Sequence, residues 1–291
     1  MKTVFLFPGQ GAQAPGMAKD LWEESQKVKE LFACASDLVG TDMEKLLFEG
    51  SEEDLKATDN TQIAMTLANM SAATVLRERG IVPDFVAGFS IGEYAALWSS
   101  GVLSTEDAIK IVIKRGILME KASRAYDHAD GNAGMTAVIG LTREDLVALF
   151  EGHALKDVFI ANHNSPTQVV LAGTHQGLTA AEKACDEAGA MKVVRLKVSG
   201  PFHSPLLANA RKDFEAEIKK YSWNNPAIPL ISNVTAQAVE SGVAAQALAG
   251  EQIVSAVRWV DTMQFLISAG VERILEVGPG KVLGGLWRAT T

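Results

Sequence analysis

A serine between glycines is the most reactive feature of the sequence. Gly88-Phe89-Ser90-Ile91-Gly92 follows an apolar segment and precedes a helical pattern. This is the G-x-S-x-G pattern of a nucleophile elbow, in which a sharp strand-to-helix turn exposes the serine hydroxyl. The glycines allow the tight turn, and the helix N-terminus favours negative charge that develops there. The motif predicts that Ser90 is a nucleophile, and the alternative is a Gly/Ser turn without chemistry.

A serine nucleophile needs a base, and His203 is the best candidate among the five histidines. The other four lie between residues 128 and 175, in a segment that is interpreted below as an insert or its link. His203 lies in the turn-rich stretch 199–205, where the chain returns to the main sheet and loops at strand ends meet. We therefore expect His203 to face Ser90, against the alternative of an ordinary surface or core histidine.

The loop after the first apolar segment can supply backbone donors. Gly9-Gln10-Gly11 follows Val4–Phe7 and should lie at the same edge of the sheet as Ser90. An oxyanion hole is expected there, formed by one N–H of this loop and the N–H of Ile91. A phosphate-binding turn is the alternative, but the loop lacks both G-x-G-x-x-G and a Walker lysine.

An α/β scaffold is needed to position these loops. Val4–Phe7 and Phe85–Phe89 are short apolar runs that end in turns, which is typical of buried parallel strands. Similar apolar runs return over residues 228–231 and 273–276. Helical spacing predicts helices over residues 22–39, 62–78, 92–99 and 105–125.

A different pattern fills residues 126–198. It predicts strands over 135–140, 158–161, 168–172 and 192–198, with helices over 142–150 and 174–188. The order βαββαβ is that of a ferredoxin-like module. The sequence therefore predicts an α/β fold with an α/β-hydrolase-like core and a mostly parallel sheet, built from residues 1–125 and 199–291. Residues 126–198 would be an inserted ferredoxin-like subdomain, and the site should lie in the cleft between the two parts.

The composition excludes several classes of protein. The 291 residues are 47% apolar and 21% charged, which is a globular mixture, and the net charge of −8 argues against a nucleic-acid partner. Cys34 and Cys185 are far apart and belong to no metal-binding pattern, which favours a reduced, cytoplasmic protein without a metal. No apolar window is long enough for a transmembrane helix, and the apolar run at the start is too short for a signal peptide. We expect no contact with a membrane.

Six segments in order resemble one known family. They are Phe7–Gln13, Gly88–Tyr94, Lys114–Gly116, Asn164–Val170, Gly200–Ser204 and Glu276–Leu283. Together they are similar to malonyl-CoA:acyl carrier protein transacylases, from residue 3 to about residue 287. The resemblance implies an enzyme that moves a malonyl group from coenzyme A to the phosphopantetheine thiol of acyl carrier protein, in fatty-acid biosynthesis.

The resemblance implies a role for each matching residue. Ser90 would carry the malonyl group, and His203 would be its general base. A backbone carbonyl within residues 252–258, and not a carboxylate, would orient the histidine. Gln10 and Ile91 would supply the N–H groups of the oxyanion hole. The chemistry would need no metal or redox cofactor, because malonyl-CoA is the substrate and the acyl group passes through a serine ester.

Arg115 would bind the free carboxylate of the malonyl group. A guanidinium is planar and permanently charged, so in a dry pocket it binds a carboxylate through two parallel hydrogen bonds and favours diacid thioesters. Without the resemblance, a solvated helix charge would be the simpler interpretation. The other substrate-binding residues would be Gln13, Gln62, Phe89 and Phe202.

Phe89 departs from the family pattern, which usually has histidine immediately before the nucleophile. Phenylalanine makes no hydrogen bond, so any polar role of this position is lost, although activity is still expected. Ile91 and Phe202 resemble malonyl-selective members, because bulky apolar groups leave little room for a 2-methyl branch. One methyl group is worth about 1 to 3 kcal/mol, so discrimination against methylmalonyl should be finite.

An acidic carrier protein would need a local basic surface on this acidic chain. Lys192, Arg195, Lys197 and Lys281, with Arg288, are the candidates, against the alternative of a solvated charged face. No heptad pattern or apolar stripe stands out, so a monomer is expected.

Three alternatives remain open at this point. A serine esterase or thioesterase would use Ser90 and His203 but pass the acyl group to water, and it would not require Arg115. A freestanding acyltransferase of a polyketide synthase would share the chemistry and differ in its carrier. A catalytically inactive carrier-binding scaffold is supported only by Phe89.

Overall fold

The computed structural model describes residues 1–56 and 58–291. Its strands are β1 (Lys2–Phe7), β2 (Phe85–Gly88), β3 (Asp127–His128), β4 (Gly131–Asn132), β5 (Gly134–Ile139), β6 (Val158–Ser165), β7 (Gln168–Gly173), β8 (Lys192–Arg195), β9 (Leu230–Ile231) and β10 (Val271–Glu276). Its helices are α1 (Lys19–Glu24), α2 (Gln26–Val39), α3 (Met43–Glu49), α4 (Glu52–Lys56), α5 (Thr58–Glu78), α6 (Gly92–Ser99), α7 (Thr105–Arg124), α8 (Arg143–Gly152), α9 (His175–Glu187), α10 (Ala208–Ile218), α11 (Gly242–Gln252), α12 (Trp259–Ser268) and α13 (Val282–Thr290). A 3-10 turn spans Pro205–Leu207.

A parallel sheet forms the centre of the larger part of the molecule. Its strand order is β10-β1-β2-β9, and each pair of neighbours is parallel. Strand β1 has core on both faces, because Phe5 and Phe7 belong to one buried cluster while Val4 and Leu6 belong to another. This explains why the strand is apolar throughout instead of alternating. The carboxyl ends of β1 and β2 place the first loop and the serine elbow side by side.

A second sheet is antiparallel, with strand order β6-β7-β5-β8. Helices α8 and α9 pack against each other and share a separate buried cluster with these strands. The connection β5-α8-β6-β7-α9-β8 has the ferredoxin-like order, and the fold class predicted from the sequence is confirmed. The domain boundaries at 125/126 and 198/199 stay a prediction.

A backbone bridge joins the antiparallel sheet to the segment before α12. The N–H of Val257 donates to the carbonyl oxygen of Ala161 at 2.8 Å, and the N–H of His163 donates to the carbonyl oxygen of Val257 at 3.0 Å. Asn162 and Val257 therefore form a parallel β-bridge. Strand β6 is held directly against the part of the chain that carries the parallel sheet.

Several elements differ from the sequence-based boundaries. The helix expected over 22–39 is two helices, because Ser25 ends α1 and its hydroxyl accepts the N–H of Val28 to cap α2. The strand expected over 192–198 stops at Arg195, and residues 196–198 turn to line the cleft. The short strand pair β3–β4 and the 3-10 turn were not predicted from the sequence.

Candidate active site

Ser90 occupies the turn between β2 and α6. Its φ of 53° lies in the left-handed region, which non-glycine residues adopt at a cost and mainly at functional sites. A side chain at Gly92 would collide with the carbonyl oxygen of Phe7, so this position must be glycine for α6 to start against β1. The sharp turn predicted from the G-x-S-x-G pattern is present, and it holds the hydroxyl at the edge of the sheet.

Asn233 holds this turn in place from the other side. Its Oδ1 accepts the N–H of Ser90 at 2.8 Å, and its Nδ2 donates to the carbonyl oxygen of Gly88 at 2.6 Å. Because the N–H of Ser90 is already engaged, it is not available to a substrate oxygen. Asn233 is fully buried, and the sequence analysis did not select it.

Ser90 and His203 face each other across 2.7 Å between Oγ and Nε2. The Nδ1 of His203 lies 2.9 Å from the backbone oxygen of Gln252, which is within the segment that the family resemblance implied. A carbonyl oxygen only accepts, so Nδ1 carries the proton and Nε2 presents a lone pair to the serine hydroxyl. His203 has a φ of 58°, so both partners sit in the left-handed region.

The imidazole of His203 is buried, with 3% of its surface exposed. Burial lowers its pKa to about 4, the nearby positive charge of Arg115 acts in the same direction, and the backbone carbonyls of Gln252 and Ser255 act against them. The neutral form therefore dominates at physiological pH. That form can take a proton from the serine hydroxyl.

The first loop lies beside the elbow, and Gln10 and Ile91 both line the same cleft as Ser90. In residues 1–56 and 58–291, neither backbone N–H has an acceptor. The loop is shaped by Gln13, whose Oε1 accepts the N–H of Gly11 at 2.7 Å. Two free N–H groups at the mouth of the elbow can receive the negative oxygen of a tetrahedral intermediate.

Arg115 lies on α7 with only 1% of its surface exposed, although it lines the cleft. Nη1 donates to Oε1 of Gln62 at 2.8 Å, and Nη2 donates to Oε1 of Gln252 at 3.1 Å. Its guanidinium carbon is 5.4 Å from the centre of the Tyr94 ring. Within the described part of the chain it forms no ion pair with a carboxylate. A buried cation held by two neutral amides and an aromatic ring can bind an anion from outside.

A cleft of about 410 Å³ is lined by Ser90, His203 and Arg115, by the loops after β1 and β2, and by residues of the antiparallel sheet. Phe89 lines it and packs edge-to-face on Trp259, with ring centres 5.2 Å apart. Phe202 and Met119 are buried in its wall. The lining residues from the antiparallel sheet and its last connection are Met135, Asn162, Asn164, Val170, Leu196, Lys197 and Val198.

The lysines considered for carrier docking are on the surface. Lys192, Lys197 and Lys281 are exposed, and Lys197 also lines the cleft. Arg195 is paired with Glu182, with Nε to Oε1 at 2.6 Å and Nη2 to Oε2 at 3.0 Å. Arg195 is therefore less available to a partner than the three lysines.

Two further properties concern the described residues as a whole. No group of three or more histidine, cysteine, aspartate or glutamate side chains in residues 1–56 and 58–291 is arranged to hold a metal ion. None of the helices described there is both long and apolar enough to cross a membrane.

Sequence reasoning missed three polar residues next to the reacting groups: Glu93, Asn233 and Gln252. Glu93 lies within the family motif Gly88–Tyr94 but was given no role. Gln252 was included only as the first residue of the segment 252–258, from which a backbone carbonyl was expected to orient the histidine. Nothing in the local pattern around Asn233 and Gln252 indicates a site, since they reach the elbow from 143 and 162 residues away.

A serine activated by a neutral histidine, with backbone donors for an oxyanion, defines an enzyme class that transfers acyl groups through a serine ester. The comparisons with known proteins agree. The family model for the acyl transferase domain matches residues 4–287. The chain is 38% identical over 290 residues to the malonyl CoA-acyl carrier protein transacylase of Bacillus subtilis (strain 168), covering 98% of this chain and 89% of the relative.

Solved structures show the same relationship. An acyl carrier protein S-malonyltransferase from Vibrio cholerae is 38% identical, with a TM-score of 0.94 and coverage of 100% of this chain and 94% of that one. A malonyl-transacylase in complex with its type II PKS acyl-carrier protein is 35% identical, also with a TM-score of 0.94, and covers 100% of this chain and 93% of that one. The chain belongs to the family of malonyl CoA-acyl carrier protein transacylases.

Proposed function

We propose that this enzyme transfers a malonyl group from coenzyme A to the phosphopantetheine thiol of an acyl carrier protein, in fatty-acid biosynthesis. The observation that carries the proposal is Arg115. It is a buried guanidinium in the same cleft as Ser90 and is held by the amide oxygens of Gln62 and Gln252, and among the residues that the structure describes it has no carboxylate in an ion pair with it. The free carboxylate of a malonyl group supplies the missing negative charge.

Acylation of Ser90 is the first half of the reaction. Nε2 of His203 takes the proton of the hydroxyl, and Oγ attacks the thioester carbonyl carbon. The N–H groups of Gln10 and Ile91 stabilise the resulting oxyanion. When the intermediate collapses, the C–S bond breaks, the proton passes from His203 to the leaving sulfur, and coenzyme A departs as its thiol.

Transfer to the carrier reverses these steps. His203 takes the proton of the phosphopantetheine thiol, the sulfur attacks the ester carbonyl carbon, and the proton returns to Oγ of Ser90 as the C–O bond breaks. The reaction uses the carrier and coenzyme A in turn at one site, which gives ping-pong kinetics. The steps include no oxidation or reduction, so they require no redox cofactor, and the two N–H groups stabilise the oxyanion without the need for a metal ion.

The wall of the cleft supports selection by size as well as charge. Ile91 and Phe202 place bulky apolar groups near the serine, and Phe89 adds an aromatic ring where relatives usually carry histidine. The exposed lysines Lys192, Lys197 and Lys281, with the exposed Arg288, would receive the acidic carrier, and Arg195 would contribute less because it is paired with Glu182. The predicted monomeric state and cytoplasmic localisation complete the proposal.

A role in polyketide synthesis is the second candidate. The observation in its favour is the close likeness to a malonyl-transacylase solved with its type II PKS acyl-carrier protein. Both functions share the steps described above and differ in the carrier that accepts the malonyl group.

Intact-mass measurement tests the proposal. Brief incubation with malonyl-CoA should add one malonyl group to the protein, and Ser90→Ala should prevent the addition. Holo acyl carrier protein should then take up the group. Release of free malonate at the same rate without a carrier would identify a thioesterase instead, and preference between a fatty-acid carrier and a polyketide carrier would separate the two pathways.

A further inference from the structure

Gln252 contacts three functional parts of the site. Its backbone oxygen accepts the Nδ1 proton of His203 at 2.9 Å. Its side-chain Oε1 accepts from Arg115 at 3.1 Å, and its Nε2 donates to the backbone oxygen of Ser90 at 3.1 Å. The side-chain amide of Gln252 therefore links Arg115 to the segment of the nucleophile, and that segment is held independently by Asn233.

The amide of Gln252 also donates to a buried carboxylate, that of Glu93. Glu93 lies in the first turn of α6, three residues after Ser90, and only 5% of its surface is exposed. Its other oxygen accepts the N–H of Asn233 at 3.2 Å. Each carboxylate oxygen thus has an N–H donor, and no step of the proposed reaction uses the carboxylate itself.

Two charged neighbours favour one orientation of the Gln252 amide, and the backbone oxygen of Ser90 favours the same one. An ionised carboxylate only accepts hydrogen bonds, and a guanidinium only donates them. The amide satisfies both when Nε2 faces Glu93 and Oε1 faces Arg115, which is the observed arrangement. Reversing the amide would set two donors against each other on one side and two acceptors on the other.

We propose that Glu93 is a positioning residue for Arg115: its carboxylate fixes the Gln252 amide, and that amide aligns the guanidinium for the free carboxylate of the acyl group. The inference rests on the proposed function, because it assumes that Arg115 receives a carboxylate from the substrate. Gln62 holds the other side of the guanidinium at 2.8 Å. Loss of the Gln252 contact should therefore misalign Arg115 without releasing it.

Glu93→Gln tests this role with almost no change in shape. The new amide has one acceptor for two donors, the N–H of Asn233 and Nε2 of Gln252. Whichever donor it accepts, the ionised acceptor that fixes Nε2 of Gln252 is lost, and the alignment of Oε1 towards Arg115 is weakened. Acylation of Ser90 should be followed by intact mass at about pH 8. Burial raises the pKa of Glu93 to about 7, so the wild-type carboxylate is mostly ionised at this pH.

We expect kcat/KM for malonyl-CoA to fall about 10- to 100-fold, as for other buried polar groups left without a partner. With acetyl-CoA the fall should be less than about threefold, since an acetyl group has no carboxylate for Arg115. Glu272→Gln, an exposed change on β10, is the matched control and should leave both rates unchanged.

An unchanged ratio of the malonyl and acetyl rates in Glu93→Gln overturns the inference, whether both rates stay the same or both fall equally. If this variant does not fold, Gln252→Met replaces it, because it removes the amide and keeps the carbonyl at His203. An unchanged ratio there also overturns the inference. Absence of a malonyl adduct on wild-type Ser90 would instead contradict the proposed function.

Discussion

Replacing Arg115 by methionine removes the charge that we assign to malonyl recognition and keeps most of the apolar volume of the side chain. The guanidinium offers donors that are not used by Gln62 and Gln252, and a malonyl carboxylate would take two of them. Each hydrogen bond to a charged group is worth about 1.5 to 3 kcal/mol. Two such bonds give about 3 to 6 kcal/mol, which corresponds to roughly a 10²- to 10⁴-fold fall in kcat/KM.

The assay for Arg115→Met is the initial rate of Ser90 acylation with malonyl-CoA and, separately, with acetyl-CoA. The malonyl rate should fall by the factor given above, and the acetyl rate should stay the same or rise because a desolvated charge is removed from the pocket. Arg115→Lys should lie between wild type and Arg115→Met, since an ammonium keeps the charge and loses the planar fork. Equal losses for the two substrates would refute the assignment of Arg115 to the free carboxylate.

Further predictions concern the base, the elbow and its support. With acetyl-CoA, which does not need Arg115 aligned by ionised Glu93, the pH profile of kcat/KM should have its acid limb near pH 4, because His203 must be neutral to take a proton and burial lowers its pKa to about 4. The lowered pKa of His203 makes folding less favourable as pH falls from 6.5 to 4, whereas the raised pKa of Glu93 makes folding more favourable as pH falls from about 7 to 4.5. Glu93→Gln removes the second contribution, so in urea unfolding it should lose more stability on acidification than wild type. Gly92→Ala should destabilise the fold by about 3 kcal/mol, because the new methyl group collides with β1. Gly285→Ala is the control, since its methyl group would meet open space, and equal unfolding midpoints of the two variants would contradict the prediction. Asn233→Leu should cost about 3 kcal/mol and slow acylation, because a buried N–H and a buried C=O lose their partners, and wild-type stability in this variant would argue against its support of the elbow.

The parts of the site that the sequence predicted are those with a local cause. The G-x-S-x-G pattern requires a strand before it and a helix after it, and both are visible as apolar runs with the right period. The ferredoxin-like order was predictable for the same reason, since its strands and helices alternate over short distances. His203 was identified because its turn-rich stretch follows the inserted segment and returns to the main sheet.

The supporting residues could not be predicted because their contacts are distant in sequence. Asn233 and Gln252 are polar residues of ordinary type, and their function exists only when the fold brings them to Ser90. The burial of Arg115 was equally hidden, because a cation on an amphipathic helix is normally solvated. Only the family resemblance pointed to its role before the structure showed two amide oxygens at its donors.

The β-bridge at Val257 has a consequence for the interval between the two half-reactions. Both the N–H and the C=O of Val257 are hydrogen-bonded to β6, which carries the cleft residues Asn162 and Asn164, so this wall of the cleft is attached by main chain to the larger part of the molecule. The malonyl ester must therefore persist while coenzyme A is exchanged for the carrier, and the cleft does not close over it during that interval. The rate at which water hydrolyses the ester then depends on the apolar surface of Phe89, Phe202 and Met119. Hydrolysis in the absence of carrier measures how well this surface excludes water.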